Sequence, residues 1–85
     1  MLEGKNLMFV RAELIEGTSN KTGKPFEICN ITLSDEIESF KLDLDKNVIA
    51  EMAQFQKGDK VNLLIDIIPR YNNNQFLVTH VMAAD

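Results

Sequence analysis

The run Lys21-Thr22-Gly23-Lys24-Pro25-Phe26 places two cations in a turn-forming segment and an aromatic directly after it. That combination suits single-stranded nucleic acid: cations on a loop meet phosphates, and a flat ring offers a face on which a base stacks. Ile28 shares the strand face of Phe26. The competing reading is an ordinary hairpin turn with solvated lysines and a core Phe. A second group, Arg70 and Tyr71, lies in the polar run Pro69–Asn74. Arg11 and Lys41 sit on alternating segments that could flank the same surface. Catalytic groupings are sparse. His80 and Cys29 are the only residues of their types and fall on separate segments. A zinc site needs a cluster of about four ligands, and none is present. No Gly-x-Ser-x-Gly turn and no glycine-rich phosphate loop occurs. Asp35, Glu36 and Glu38 form an acidic turn without the ligand spacing of a calcium loop. The expectation is a binding protein rather than an enzyme, with no metal and no cofactor.

A chain of 85 residues with 45% apolar content makes one small domain, taken here as residues 1–85. The single cysteine cannot form an internal disulfide, so an intracellular setting is expected. The start, Met1-Leu2-Glu3-Gly4-Lys5-Asn6, is too polar for a signal peptide, and no apolar run is long enough to span a membrane. The net charge of −4 argues against affinity based on whole-molecule positive charge. Acidic residues concentrate between Asp35 and Asp45, however, whereas Thr18–Pro25 holds two lysines and no acid. Screening confines each charge to about 8 Å at physiological salt, so a local cationic strip survives on an acidic molecule.

Hydrophobic periodicity supplies the elements. A first strand is expected over residues 7–15, with Met8, Val10, Ala12 and Leu14 on a wholly apolar side and Leu7, Phe9, Arg11, Glu13 and Ile15 on a mixed one. A second covers 25–33, with Cys29, Ile31 and Leu33 opposite Phe26, Ile28, Asn30 and Thr32. A third covers 38–44, with Phe40, Leu42 and Leu44 inward and Lys41 and Asp43 outward. Asp45 then caps a helix of about ten residues carrying Val48, Ile49, Met52, Ala53 and Phe55, with Gly58 as its stop. Two more strands follow, over 60–68 and 75–82. The order β-β-β-α-β-β must close on itself or leave aggregation-prone edges. A five-stranded antiparallel OB-fold barrel plugged by one helix accommodates every element. An SH3-like barrel does not need the helix, and an open α+β sandwich is the other alternative. The last two strands are apolar on both faces. The outer one needs a cover, and a homodimer through Leu64, Ile68, Phe76 and Val78 is expected, subject to strand register.

Gly23-Lys24-Pro25-Phe26, Phe40-Lys41-Leu42-Asp43-Leu44-Asp45 and the loop bearing Tyr71 together resemble the small single-stranded-DNA-binding, helix-destabilising proteins of filamentous phages. That family typically has Gly-Lys-Pro-Tyr at the first position. The resemblance implies an OB-type barrel, a two-fold dimer and cooperative coating of single strands during phage or mobile-element DNA replication, in the cytoplasm of a bacterial host. On the OB-fold plan the ligand lies across strands two and three between the two loops, so the expected nucleic-acid site is Arg11, Lys21, Lys24, Phe26, Ile28, Lys41, Arg70 and Tyr71. This chain departs from the family in being acidic, in carrying lysines where arginines are usual, and in its longer helix. The alternative of a different class is an OB-type module that binds protein and leaves its ligand face unused.

Overall fold

The computed structural model describes residues 2–84. Five strands close into a barrel in the order β1-β2-β3-β5-β4: β1 (Leu2–Thr18), β2 (Pro25–Ser34), β3 (Ser39–Leu44), β4 (Lys60–Pro69) and β5 (Asn74–Ala83). A helix, Lys46–Gln54, joins β3 to β4. This is the OB-fold plan that the element order predicts. The sheet is antiparallel except between β3 and β5, which run parallel through Asp43↔Leu77 and Leu44↔Val78.

Closure depends on β1, which is longer than its periodicity predicts. It pairs with β4 through Leu2–Met8 and with β2 through Met8–Thr18. The polar stretch from Leu2 to Asn6 is therefore strand; Met1 lies outside the described residues. Two irregularities let one strand serve both partners. Asn6 takes a left-handed conformation (φ 55°) at the break between Gly4 and Leu7, and its N–H donates to Asn62 Oδ1 at 3.0 Å. A bulge at Val10 then shifts the register between Phe9 and Arg11. An extra residue reverses the side-chain alternation beyond it. Leu7 and Phe9 therefore face the core on one side of the bulge and Ala12 on the other. This corrects the expectation that Met8 and Val10 share the inner face with Ala12 and Leu14.

The core consists of Phe9, Ile31, Leu33, Leu44, Met52, Phe55, Val61, Leu63 and Val78. The inward faces expected for β2 and β3 hold: Ile31, Leu33 and Leu44 are buried, and Cys29, Phe40 and Leu42 pack against them. The helix is of the 3-10 type, with bonds from Val48 N–H to Asp45 O (3.0 Å) and from Phe55 N–H to Met52 O (3.1 Å). Its core contacts explain this. Ile49, Met52 and Phe55 recur at every third residue, the repeat that a three-residue turn aligns on one face. Ala53 falls off that line and is exposed. Phe55 reaches Phe9 with ring centroids 5.7 Å apart, which plugs the barrel end. Gly58 (φ 101°) does not end the helix, whose C-cap is Phe55. It forms a separate turn bound to β1 by Gly58 N–H to Phe9 O and Phe9 N–H to Asp59 O, both 2.8 Å.

The four residues expected at a dimer interface do not share one face. β5 carries an extra residue at Thr79, opposite the step from Leu64 to Ile65, and the resulting register places Val78 inside the barrel with no exposed surface. Phe76 pairs with Ile67 on the inner side of the ladder, whereas Leu64 and Ile68 face outward. On that outer face every pair joins an apolar residue to a polar one: Met82 to Asn62, Leu64 to His80, Leu77 to Asp66, Ile68 to Gln75.

Candidate nucleic-acid interface

Two arms project beyond the ladders of β3, in opposite directions along it. β3 pairs with β2 only as far as Asn30↔Asp43, but the β1–β2 ladder continues to Thr18↔Pro25. Residues 25–29 of β2 thus extend the hairpin by roughly 17 Å beyond β3. β4 and β5 likewise run past their contact with β3 to Pro69↔Asn74. The arms account for a long axis of 45 Å against 28 and 25 Å for the others.

The outer side of this hairpin is one continuous surface. Strand alternation puts Phe26, Ile28, Asn30 and Thr32 on it together. Their partners across the ladder are Gly17, Ile15, Glu13 and Arg11. Gly17 matters to Phe26: a Cβ there would lie 2.8 Å from the ring's Cζ, so the far end of the ring occupies the space over the glycine. Phe26 is 41% exposed despite that contact, and Ile15 and Ile28 are comparably open. Lys41 and Asp43 continue the surface onto β3, opposite Thr32 and Asn30.

Local chemistry sets both arm tips. In the β1–β2 turn, Ser19 N–H donates to Lys24 O (2.9 Å) and Gly23 N–H to Ser19 O (2.8 Å). The left-handed conformation this needs falls on Gly23 (φ 69°), which leaves Lys21 and Lys24 exposed. In the β4–β5 turn, Arg70 N–H donates to Asn73 O at 2.9 Å, and Tyr71 is fully exposed at the tip. The Arg70 side chain is tethered back to the sheet. Its Nε and a terminal nitrogen donate to Gln75 Oε1 (2.9 and 2.6 Å), and Gln75 Nε2 donates to Asp43 Oδ2 at 2.9 Å.

Past the end of β3, where no strand joins β2 to β5, lies a cleft of about 300 Å³ lined by Ile28, Cys29, Asp43, Leu44, Gln75 and Leu77 with Glu27 and Lys46. Lys46 Nζ meets Glu27 at 2.7 Å, which ties the arm to the helix start, and that hydrogen bond raises the lysine's pKa. Burial pushes the Cys29 thiol upward, with the Asp45 carboxylate adding to the effect. A somewhat larger hollow, about 380 Å³, lies between the helix and β1, lined by Phe9, Arg11, Ala12, Leu14, Met52 and Phe55 among others.

Charge on the surface is balanced. Arg11 Nε pairs with Glu13 at 2.8 Å. Lys21, Lys24, Lys41 and Arg70 enter no ion pair among the described residues. The acidic turn Asp35–Glu38 closes the opposite end of β2 from the lysine-bearing turn, about 30 Å away and several screening lengths distant. Its Asp35 carboxylate accepts from the N–H groups of Glu38 and Ile37, both 2.8 Å, and these bonds hold its pKa below the usual value.

Arg11, Phe26, Ile28 and Lys41 are therefore brought onto one surface, Arg70 is anchored at its edge, and Lys21, Lys24 and Tyr71 occupy the two tips. Sequence reasoning missed Asn30, Ile15, Glu13, Gln75 and Lys46. Strand alternation already placed Asn30 and Ile15 on this face; Gln75 and Lys46 had no signal, because closure of the barrel brings them in. Among the described residues no group of three His, Cys, Asp or Glu is placed to hold a metal ion. No helix is long and apolar enough to cross a membrane.

No protein-family model and no curated protein sequence matches the chain. A solved structure with a similar course is the second OB-fold domain of replication protein A from Methanococcus maripaludis, at 21% identity over 96% of this chain and 83% of that one, with a TM-score of 0.48. The OB-fold assignment rests on the strand order and closure of this chain itself.

Proposed function

We propose that the protein binds single-stranded DNA across the outer surface of β1–β3, by base stacking and phosphate contacts and with little dependence on sequence. The observation that carries the reading is the exposed ring of Phe26, its tip over Gly17 beside Ile15 and Ile28, with cations at both arm tips and on β3 that enter no ion pair among the described residues. Stacking needs an open, supported ring, and phosphate contact needs cations not already neutralised. Coating of single strands in phage or mobile-element replication is the finer form of this proposal and rests on the sequence resemblance. No catalysis is assigned: His80 and Cys29 sit on different faces of different strands. Fluorescence anisotropy with a labelled mixed-sequence single strand and a duplex of equal length tests the reading. Binding of the single strand that weakens with salt supports it; no change at micromolar protein in low salt sinks it.

One observation favours a protein-binding module instead. Residues 25–29 of β2 past the end of β3, and residues 74–76 of β5 alongside it, present strand edges facing β3 that have no ladder partner there among the described residues. An extended peptide can add to such an edge. That reading gains if oligonucleotides fail to bind. A homodimer reduces to the outer face of β4 and β5, with Leu64 and Ile68. Sedimentation at tens of micromolar protein tests it, and a monomer there removes it.

A further inference from the structure

At the centre of the proposed surface one row of three residues crosses β1, β2 and β3: Glu13, Asn30 and Asp43. All three present acceptors, and two are engaged. Glu13 receives Arg11, and Asp43 receives the Gln75 amide. Asn30 Oδ1 is buried and has no hydrogen-bond partner, in a residue only 5% exposed. Thr32 Oγ1, one same-face step along, is likewise buried and unpaired. Ionised carboxylates only accept, so neither neighbour can satisfy Oδ1 with the amide oriented as it stands here. A buried acceptor left alone is costly, and native structures rarely leave one without a reason.

The geometry points to Asn30 as an acceptor for the exocyclic amino group of a base, so that the site prefers cytosine and adenine over thymine. This inference rests on the nucleic-acid reading above. Phosphates and deoxyribose within a strand offer no donor, whereas cytosine N4 and adenine N6 each carry an amino group. Thymine offers O4 instead, an acceptor facing a row of acceptors. Its N3–H lies between two carbonyls that the flanking carboxylates repel. Ile28 is one same-face step from Asn30, about 7 Å, so a base edge can reach Asn30 while its neighbour packs over Ile28 towards Phe26. Arg11 and Glu13 are surface groups, with 62% and 36% of their side chains exposed. Arg11 can leave Glu13 for a phosphate at little cost, which frees the Glu13 end of the row.

The test is a titration of the wild-type protein with oligo(dC), oligo(dA), oligo(dT) and oligo(rC) of about sixteen nucleotides, long enough for one OB-fold. Oligo(dC) and oligo(dA) are expected to bind about tenfold tighter than oligo(dT), the worth of one buried hydrogen bond with its mismatch. Asn30→Leu should abolish the preference by bringing the affinities for oligo(dC), oligo(dA) and oligo(dT) together, with a thermal midpoint equal to or above wild type. Asn30→Ser, shorter but polar, should lose the preference too and serves if the leucine variant does not fold. Equal binding of the three deoxy homopolymers, or a preference that persists in either variant, overturns the inference. So does tight binding of oligo(rC) alone, which would shift the contact to the ribose hydroxyl. Failure of every oligomer to bind is a different result and rejects the nucleic-acid reading together with this inference.

Discussion

Phe26 illustrates how much a single residue's surroundings decide. A phenylalanine at a strand start is ambiguous between core and platform; its partner Gly17 resolves the ambiguity by leaving space for the ring outside the barrel. Phe26→Ala should weaken single-strand binding by roughly 5- to 150-fold, since stacking is worth about 1–3 kcal/mol per base. The fold should survive, because the ring is not in the core; anisotropy and thermal melts on the same sample check both halves. If the variant unfolds while the remaining folded protein binds normally, the assignment is wrong. Gly17→Ala offers a companion test. Its Cβ must push the ring aside, so binding should fall although no ligand-contacting atom is removed. Tyr71→Ala should cost the same as Phe26→Ala or somewhat less, because ordering its Asn-rich turn offsets part of the gain.

Turns between elements carry local strain and local charge that can be measured separately from binding. Gly58 holds φ 101°, a conformation that L side chains avoid. Gly58→Ala should lower unfolding free energy by about 1–3 kcal/mol in urea titrations and leave the affinity of the folded protein unchanged. The turn at Asp35 predicts a pH dependence. Its carboxyl has a lower pKa folded than unfolded, so its contribution is intact above the unfolded value of 3.8 and fades as pH falls through the folded one. The urea midpoints of wild type and Asp35→Ala should therefore differ at pH 5 and converge towards pH 3. A gap that stays constant would show that Asp35 acts through shape and not charge.

For the molecule as a whole, the distribution of charge matters more than its sum. A net charge of −4 coexists with four cations on or beside the surface that enter no ion pair among the described residues. With three or four of them reaching phosphates, log affinity should fall against log salt with a slope of about −2 to −3. A slope near zero would make the lysines spectators. Lys41→Gln should reduce the slope by about 0.7, the share of one phosphate contact on a single strand.

The alternation of apolar residues was enough to determine the five strands, the helix between the third and fourth, and the barrel that follows from them. It also determined the outward face of β2, and with it the company of Phe26, Ile28 and Asn30, because side-chain direction along a regular strand has period two. Bulges defeated that rule. One extra residue at Val10 and another at Thr79 reverse the alternation, and each is set by what the neighbouring strand needs in order to close the barrel. Val78 therefore lies in the core, although its segment reads as two-faced. The tether from Arg70 through Gln75 to Asp43 joins residues far apart in sequence. The unpaired acceptor of Asn30 is a property of three strands meeting, since only the identities of its cross-strand neighbours leave it without a donor.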